Sequence, residues 1–333
     1  MFPANTINDI FSPVFTLWKF SSLPIYQISP QTNKFVCRKI HTYIFGCLVL
    51  LCLSFFYIRD ITTKDTLQSM IDLFEVSFLL LNNVLLILLT HKKAEKIVTI
   101  LSDLALAEKS LKTVTKSTFN YYSRTRNSAF AIFAFKYILA IITCVLDCLD
   151  YPEYAYFNVG FHFVWSFHFS IDLVIILILM VLKQQYKNFV SFLQHYSVDF
   201  QKILKLYKHL RKIFVEVQTT FQEIVVIMMV TNFGLTVTGS YYTITSKDTP
   251  QHSEVLKFLF IYGTSALWLI LMGVVNFTML YLVDSVIVEV NDGIVVLHFN
   301  GLKFQDSATV RALNDCLKSV NKNFLPYKYV CIR

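Results

Sequence analysis

A stripe of aromatic and polar residues follows one face of a predicted helix in the middle of the chain. His162, Trp165, Phe169 and Asp172 recur at i, i+3, i+7 and i+10, which places them on one side of an α-helix. Aromatic faces stack on the rings of sugars or alkaloids, and a carboxylate orients their polar groups. The stripe predicts one wall of a pocket for a small polar molecule. Helix packing, with Asp172 paired to Lys136 on the preceding helix, is an equally open interpretation, and for Trp165 packing is favoured.

Four further polar residues in long apolar runs join this candidate site. They are Asp72, Glu75, Tyr241 and Tyr262. Polar side chains inside apolar runs of this length are functional candidates by default. These four are chosen by polarity, depth and helix face, since no motif marks them.

The sequence carries no motif for catalysis or for metal binding. HExxH, glycine-rich phosphate loops and GxSxG are absent, and histidines and cysteines are scattered without metal-ligand spacing. We therefore expect no enzyme activity, no metal and no cofactor.

Six long apolar runs dominate the chain, and a membrane helix needs about 20 such residues. Only 16% of the chain is charged, against about 25% in an average soluble domain. The predicted fold class is an all-α, polytopic bundle of six transmembrane helices. The runs are approximately Ile40–Ile58, Met70–Thr90, Ala129–Cys148, Phe157–Leu182, Ile224–Tyr242 and Leu256–Leu282.

The basic residues lie on alternate connections between these runs. All but five of the 30 lysines and arginines fall in residues 1–39, 91–128, 183–223 and 283–333. Positive residues are retained on the cytoplasmic side, so the N-terminus is predicted to be cytoplasmic. The net charge of +8 then reflects topology and contact with anionic lipid, and nucleic acid is not expected as a partner. The predicted domains are a cytoplasmic segment 1–39, a six-span bundle 40–282 and a cytoplasmic amphipathic tail 283–333.

The connection between the fourth and fifth runs is predicted to be helical. Residues 161–233 contain no glycine or proline, so both flanking helices can extend past the membrane. We predict that an apolar stripe here packs against other cytoplasmic helices, with the surface of the inner leaflet as the alternative. Ser285–Leu297 likewise predicts an extension of the sixth helix, followed by a second amphipathic helix near Ser307. The stripe comprises Phe200, Ile203, Leu204, Tyr207, Leu210, Phe214, Val217 and Phe221.

This layout resembles the insect gustatory receptors, which are relatives of the insect odorant receptors. The shared features include a cytoplasmic N-terminal stretch with Phe15-Thr-Leu17 and Pro24, a long basic connection after the second run, and a long helical connection after the fourth. The family's most specific motif, Thr-Tyr, five apolar residues and Gln-Phe in the seventh helix, is absent from these 333 residues. The chain looks like a gustatory receptor without its seventh helix, and it should not form the family's pore if Arg333 is the true end.

The resemblance implies a ligand-gated cation channel subunit of the plasma membrane. A small-molecule tastant would bind an outward-facing pocket among helices two to six. Partners would be the lipid bilayer and complete receptor subunits in a homo- or hetero-tetramer.

Other classes of protein remain as alternatives. An odorant receptor would share the layout, and mapping the N-terminus would exclude a heptahelical G-protein-coupled receptor. A multi-span transporter predicts broken helices, whereas all seven prolines lie outside the six runs. A membrane-embedded enzyme would need paired groups, but His162 and Asp172 lie about 15 Å apart along their helix.

Overall fold

A computed structural model of the protein describes residues 6–20, 25–28, 35–38, 67–115, 121–150, 155–195, 200–245 and 254–303. Over these residues the chain is an all-α helical bundle with one short antiparallel strand pair. The elements are α1 (Ile7–Phe20), β1 (Ile25–Ile28), β2 (Phe35–Arg38), α2 (Leu67–Lys92), α3 (Ala94–Thr115), α4 (Tyr122–Asp150), α5 (Ala155–His195), α6 (Phe200–Thr245) and α7 (Glu254–Lys303).

The last three helices are much longer than a bilayer is thick. They contain 41, 46 and 50 residues, and about 20 residues suffice to cross the hydrocarbon core. Proline is absent from all three, so nothing in their sequences breaks the hydrogen-bond ladder. The predicted extensions of the fourth, fifth and sixth helices are confirmed.

Four of the described helices are long and apolar enough to cross a membrane. The qualifying stretches lie in α2, α4, α5 and α6, which carry the second to fifth apolar runs. The sixth run lies inside α7. The first run, Ile40–Ile58, and the amphipathic helix predicted near Ser307 lie outside the described residues.

Helix α5 is the centre of the bundle. It packs against α1, α2, α3, α4, α6 and α7. Its residues 168–179 are all buried, whatever direction their side chains take. Burial on every side means that neighbouring helices surround this part of α5. Phe169 and Asp172 of the predicted stripe therefore face other helices.

The apolar stripe of α6 packs on α3, as the sequence predicts. Its members from Ile203 to Phe221 are buried, and the opposing face of α3 buries residues such as Ile97, Leu101 and Leu104. This helix pair lies against α5 and α7 rather than standing alone. The stripe is therefore covered by protein, in preference to the alternative position on a lipid surface.

The described residues of the N-terminal segment form a helix and a strand pair, which the sequence analysis did not predict. At the start of α1, the Asp9 amide donates to Thr6 Oγ1 at 3.3 Å, and the Thr6 amide donates to Asp9 Oδ2 at 3.0 Å. This reciprocal arrangement is a capping box. β1 and β2 pair with Ile25 opposite Arg38, which adds a small strand pair to the all-α bundle.

Candidate ligand-binding site

The predicted stripe of α5 meets α4 at a buried ion pair. Lys136 Nζ contacts Asp172 Oδ2, and each residue is only 1% exposed. A charge buried without a partner is strongly destabilising, so each group depends on the other. Asp172 Oδ1 has no hydrogen-bond partner among the described residues. Asp172 therefore pairs with Lys136 and still presents an acceptor, so the two interpretations of this residue are compatible.

Aromatic rings flank this pair along α4. The ring centroids of Tyr137 and Phe169 lie 5.5 Å apart and meet edge to face at 71°. Tyr137 also lies 4.6 Å from Phe133, which lies 6.3 Å from Phe130. Such contacts stabilise by about 0.5–1.5 kcal/mol beyond the burial of area. They fix α4 against α5 and give the ion pair an aromatic wall.

A buried histidine, which the sequence analysis missed, lies one helical turn from Asp172. His168 is 1% exposed, and neither ring nitrogen has a hydrogen-bond partner among the described residues. Residues four apart on a helix are neighbours on its surface, so His168 and Asp172 lie side by side. A neutral imidazole offers one donor and one acceptor. The signal that could have revealed it is a histidine four residues before an intramembrane carboxylate.

The remaining predicted site residues are spread over several helices. Glu75 is half-buried on α2, His162 is buried on α5, and Tyr241 is half-buried on α6. Three further predicted residues lie in helices, but the structure does not describe their side chains. They are Asp72, Trp165 and Tyr262. Only Phe169 and Asp172 of the predicted set are brought together with Lys136 by the contacts given above.

A second polar contact inside the bundle joins α6 to α7. Asn232 Nδ2 donates to Asn276 Oδ1 at 3.1 Å, and Asn232 is fully buried. Two residues later, α6 approaches α2 closely. A Cβ atom added at Gly234 would lie 2.6 Å from Cε1 of Phe78. Amide pairs and small residues are typical of contacts between membrane helices, but the sequence analysis did not single these positions out.

Helix α3 connects the bundle to the stripe of α6. It follows α2 after a single residue, Lys93, across which the backbone hydrogen bonds continue. Lys93 Nζ donates to the Thr220 carbonyl at 2.9 Å and pairs with Glu223 Oε2 at 2.9 Å. Gln185 of α5 donates to the Leu104 carbonyl of α3 at 2.9 Å. These bonds tie α3 to both α5 and α6.

Two adjacent tyrosines lie where α3 meets α4. The Tyr122 hydroxyl donates to Glu108 Oε1, which Lys112 Nζ also contacts at 2.6 Å. The ring of Tyr121 lies 4.5 Å from that of Tyr122. Burial raises the pKa of Tyr121 well above its ordinary value, so this phenol stays neutral.

Four described helices that are long and apolar enough to cross a membrane indicate a polytopic membrane protein. The family model described as 7tm Chemosensory receptor matches residues 13–300, and the chain belongs to this family. It is a family of receptors, which confirms the prediction that the protein is not an enzyme. The coarser part of the family resemblance, a chemosensory receptor, is likewise confirmed.

The fold has a counterpart among solved structures. The chain is similar to the insect olfactory receptor OR5 from Machilis hrabei, with a TM-score of 0.51 and 12% sequence identity over 97% of each chain. At this identity the likeness concerns the fold alone. No curated protein matches the chain.

Proposed function

We propose that this chain is a gustatory receptor subunit, a ligand-gated cation channel component that opens when a small tastant binds. It would lie in the plasma membrane with its N-terminus in the cytoplasm. The observation that carries the proposal is the α4–α5 centre. There the Asp172 partner of Lys136, the ring of Phe169 and the His168 nitrogens, which have no hydrogen-bond partner among the described residues, lie within five residues of α5 in a chemosensory receptor.

The centre supplies the contacts that a small polar ligand needs. A hydroxyl or amine group could bond to His168 or to the second oxygen of Asp172, and an adjacent ring could pack on Phe169. The predicted residues Asp72, Glu75, His162, Trp165, Tyr241 and Tyr262 would line its outer approach.

The long helices offer a route from this centre to the opposite end of the bundle. Helix α5 is unbroken from Ala155 to His195. A shift of the helix at Asp172 would therefore also move Gln185, which lies about 20 Å away along the same helix. Gln185 bonds to α3, and α3 bonds to α6 through Lys93. In a tetramer with complete subunits, these ends would open the cation path.

An odorant receptor of the same superfamily is the second candidate, favoured by the likeness to OR5. A transporter has less support because α5, α6 and α7 run unbroken through the described residues. Gustatory and odorant receptors differ in the ligand they bind rather than in the fold, so the response to test ligands distinguishes them.

Current recording tests the proposal. The full chain is expressed in oocytes, alone and with a seven-helix receptor subunit, and perfused with sucrose, caffeine, denatonium and, as a volatile, 1-octanol. We expect an inward current, abolished when external sodium is replaced by N-methyl-D-glucamine, with one of the first three. A response to octanol alone would identify an odorant receptor, and silence in both arms despite surface expression would contradict a channel role.

A matched pair of variants locates the binding site. His168→Phe removes both ring nitrogens, and we expect the half-activating probe concentration to rise at least tenfold, about 1.4 kcal/mol of binding. The control is His209→Phe, the same change on α6 outside the predicted fifth run Ile224–Tyr242, and it should leave that concentration unchanged. Equal behaviour of the two variants would place the ligand elsewhere.

A further inference from the structure

We propose that the N-terminal helix is a fixed strap of the α4–α5 centre, and that Trp18 is the positioning residue for Asp172. Trp18 Nε1 donates a 3.0 Å hydrogen bond to the backbone carbonyl of Ser170 on α5. Both residues are buried, and 152 positions separate them in the sequence. The bond therefore joins the start of the chain to the middle of the central helix.

One face of helix α1 is buried against the bundle. Six of its apolar residues recur at helical spacing, and each of these six is at most 5% exposed. The helix packs on α5 and α4, and through Phe15 on Phe35 of β2, whose strand packs on α3. Since the capping box also fixes its first turn, α1 is a docked element rather than a free tail. The buried face comprises Ile7, Ile10, Phe11, Val14, Phe15 and Trp18.

The carbonyl that Trp18 binds is well placed for an extra donor. In an α-helix the Ser170 oxygen accepts the amide of the residue four positions later, which leaves its second lone pair open. The indole fills that lone pair without breaking the ladder. Because the bond is to the backbone, it fixes the height and rotation of α5 itself rather than of one side chain.

Ser170 lies between the two α5 residues that meet α4. Phe169 packs on Tyr137, and Asp172 contacts Lys136. The central helix is thus held from two sides within four residues, by α1 through its backbone and by α4 through its side chains. A rotation of α5 that broke the Trp18 bond would carry the Asp172 carboxylate away from Lys136. Trp18 thus positions the ion pair through the backbone of α5.

A double-mutant cycle tests this coupling. Trp18 is replaced by 3-benzothienylalanine, in which sulfur takes the place of the indole N–H, and in a second variant by phenylalanine. Each change is made in the natural full chain and in a Lys136→Met/Asp172→Leu background, where no charge pair needs positioning. The readout is the midpoint temperature of thermal aggregation in detergent, which needs neither ligand nor current and so stands apart from the proposed function.

We expect the benzothienyl variant to lower the midpoint by about 2 °C in the natural chain and by less than half of that in the background without charges. The matched control is Ile10→Val, which removes one methylene from the same face of α1 and should cost the same in both backgrounds. Equal losses in both backgrounds for the Trp18 variants would show that α1 only packs. No loss in the natural chain would show that the bond is unimportant. If Trp18→Phe fails to fold, the near-isosteric benzothienyl variant decides.

Discussion

Two parts of the molecule use the same pairing of lysine with a carboxylate in opposite surroundings. On α4 and α5, Lys136 and Asp172 are almost completely buried. On α3 and α6, Lys212 lies 3.6 Å from Asp103 and 3.4 Å from Glu216, with 60% of its side chain exposed. The first pair lies among aromatic rings, and the second borders the apolar stripe of α6.

The difference shows that burial, rather than pairing, decides what an ion pair does in this protein. In the second pair, water solvates the exposed Lys212 ammonium, so little depends on the contact. In the buried pair, each charge is tolerable only because the other is present. The α3–α6 contact is therefore held by its apolar residues, whereas the α4–α5 contact depends on a buried charge pair.

The largest expected effect comes from removing one buried charge. Asp172→Asn leaves the Lys136 ammonium without a counter-charge, and we expect a loss of about 3–5 kcal/mol of stability. The yield of monodisperse, detergent-extracted protein in size-exclusion chromatography measures it, and the yield should fall to a small fraction of normal.

The control for this prediction removes both charges. Lys136→Met/Asp172→Leu leaves no charge unpaired, so we expect a yield near that of the natural chain. If Asp172→Asn were extracted as well as the natural chain, the site would be hydrated enough to hold a lone ammonium, and the contrast between the two regions would disappear.

A pair of glycines extends the comparison from charge to packing. At Gly234 an added Cβ would meet Phe78 at 2.6 Å, whereas at Gly293 it would meet Tyr207 and Val190 at 3.6 Å. We expect Gly234→Ala to destabilise by about 1–3 kcal/mol because the Phe78 ring must move. Gly293→Ala should be neutral or slightly stabilising, since alanine favours a helix.

Thermal midpoints of the two glycine variants in detergent check this expectation. Phe78→Leu should recover much of the loss at Gly234, because it removes the ring atom that the new methyl group meets. Similar midpoints for the two alanine variants would mean that α2 and α6 are not closely packed at Phe78.

Periodicity made some of this architecture predictable. The stripe from Phe200 to Phe221 and the absence of proline predicted long helices with a packed face, and the structure bears this out. Both signals are local, because spacing along one helix determines which residues share a face. The pairing of Asp172 with Lys136 could also be predicted as one of two interpretations, since an intramembrane charge calls for another.

Contacts between distant segments were not predictable in the same way. The Trp18 bond to Ser170 and the Asn232–Asn276 pair join residues that no spacing rule connects. His168 was missed for a different reason. The predicted stripe follows the ring-bearing residues His162, Trp165 and Phe169. His168 lies beside this line of residues, four positions before Asp172. The helical pattern indicates which face is buried, whereas the fold alone decides what that face meets.

The smallest expected effect is at the exposed ion pair. Lys212→Gln removes the charged contacts with Asp103 and Glu216 and keeps the first two methylenes of the side chain. We expect no resolvable change in the thermal midpoint, and no change when ionic strength is raised, because water and salt already screen this lysine. The matched change in the stripe is Leu210→Ala, which empties a fully buried position and should destabilise by about 2–5 kcal/mol. Were Lys212→Gln to lower the midpoint as much as Leu210→Ala does, the α3–α6 contact would depend on charge, and the two regions would differ in degree rather than in kind.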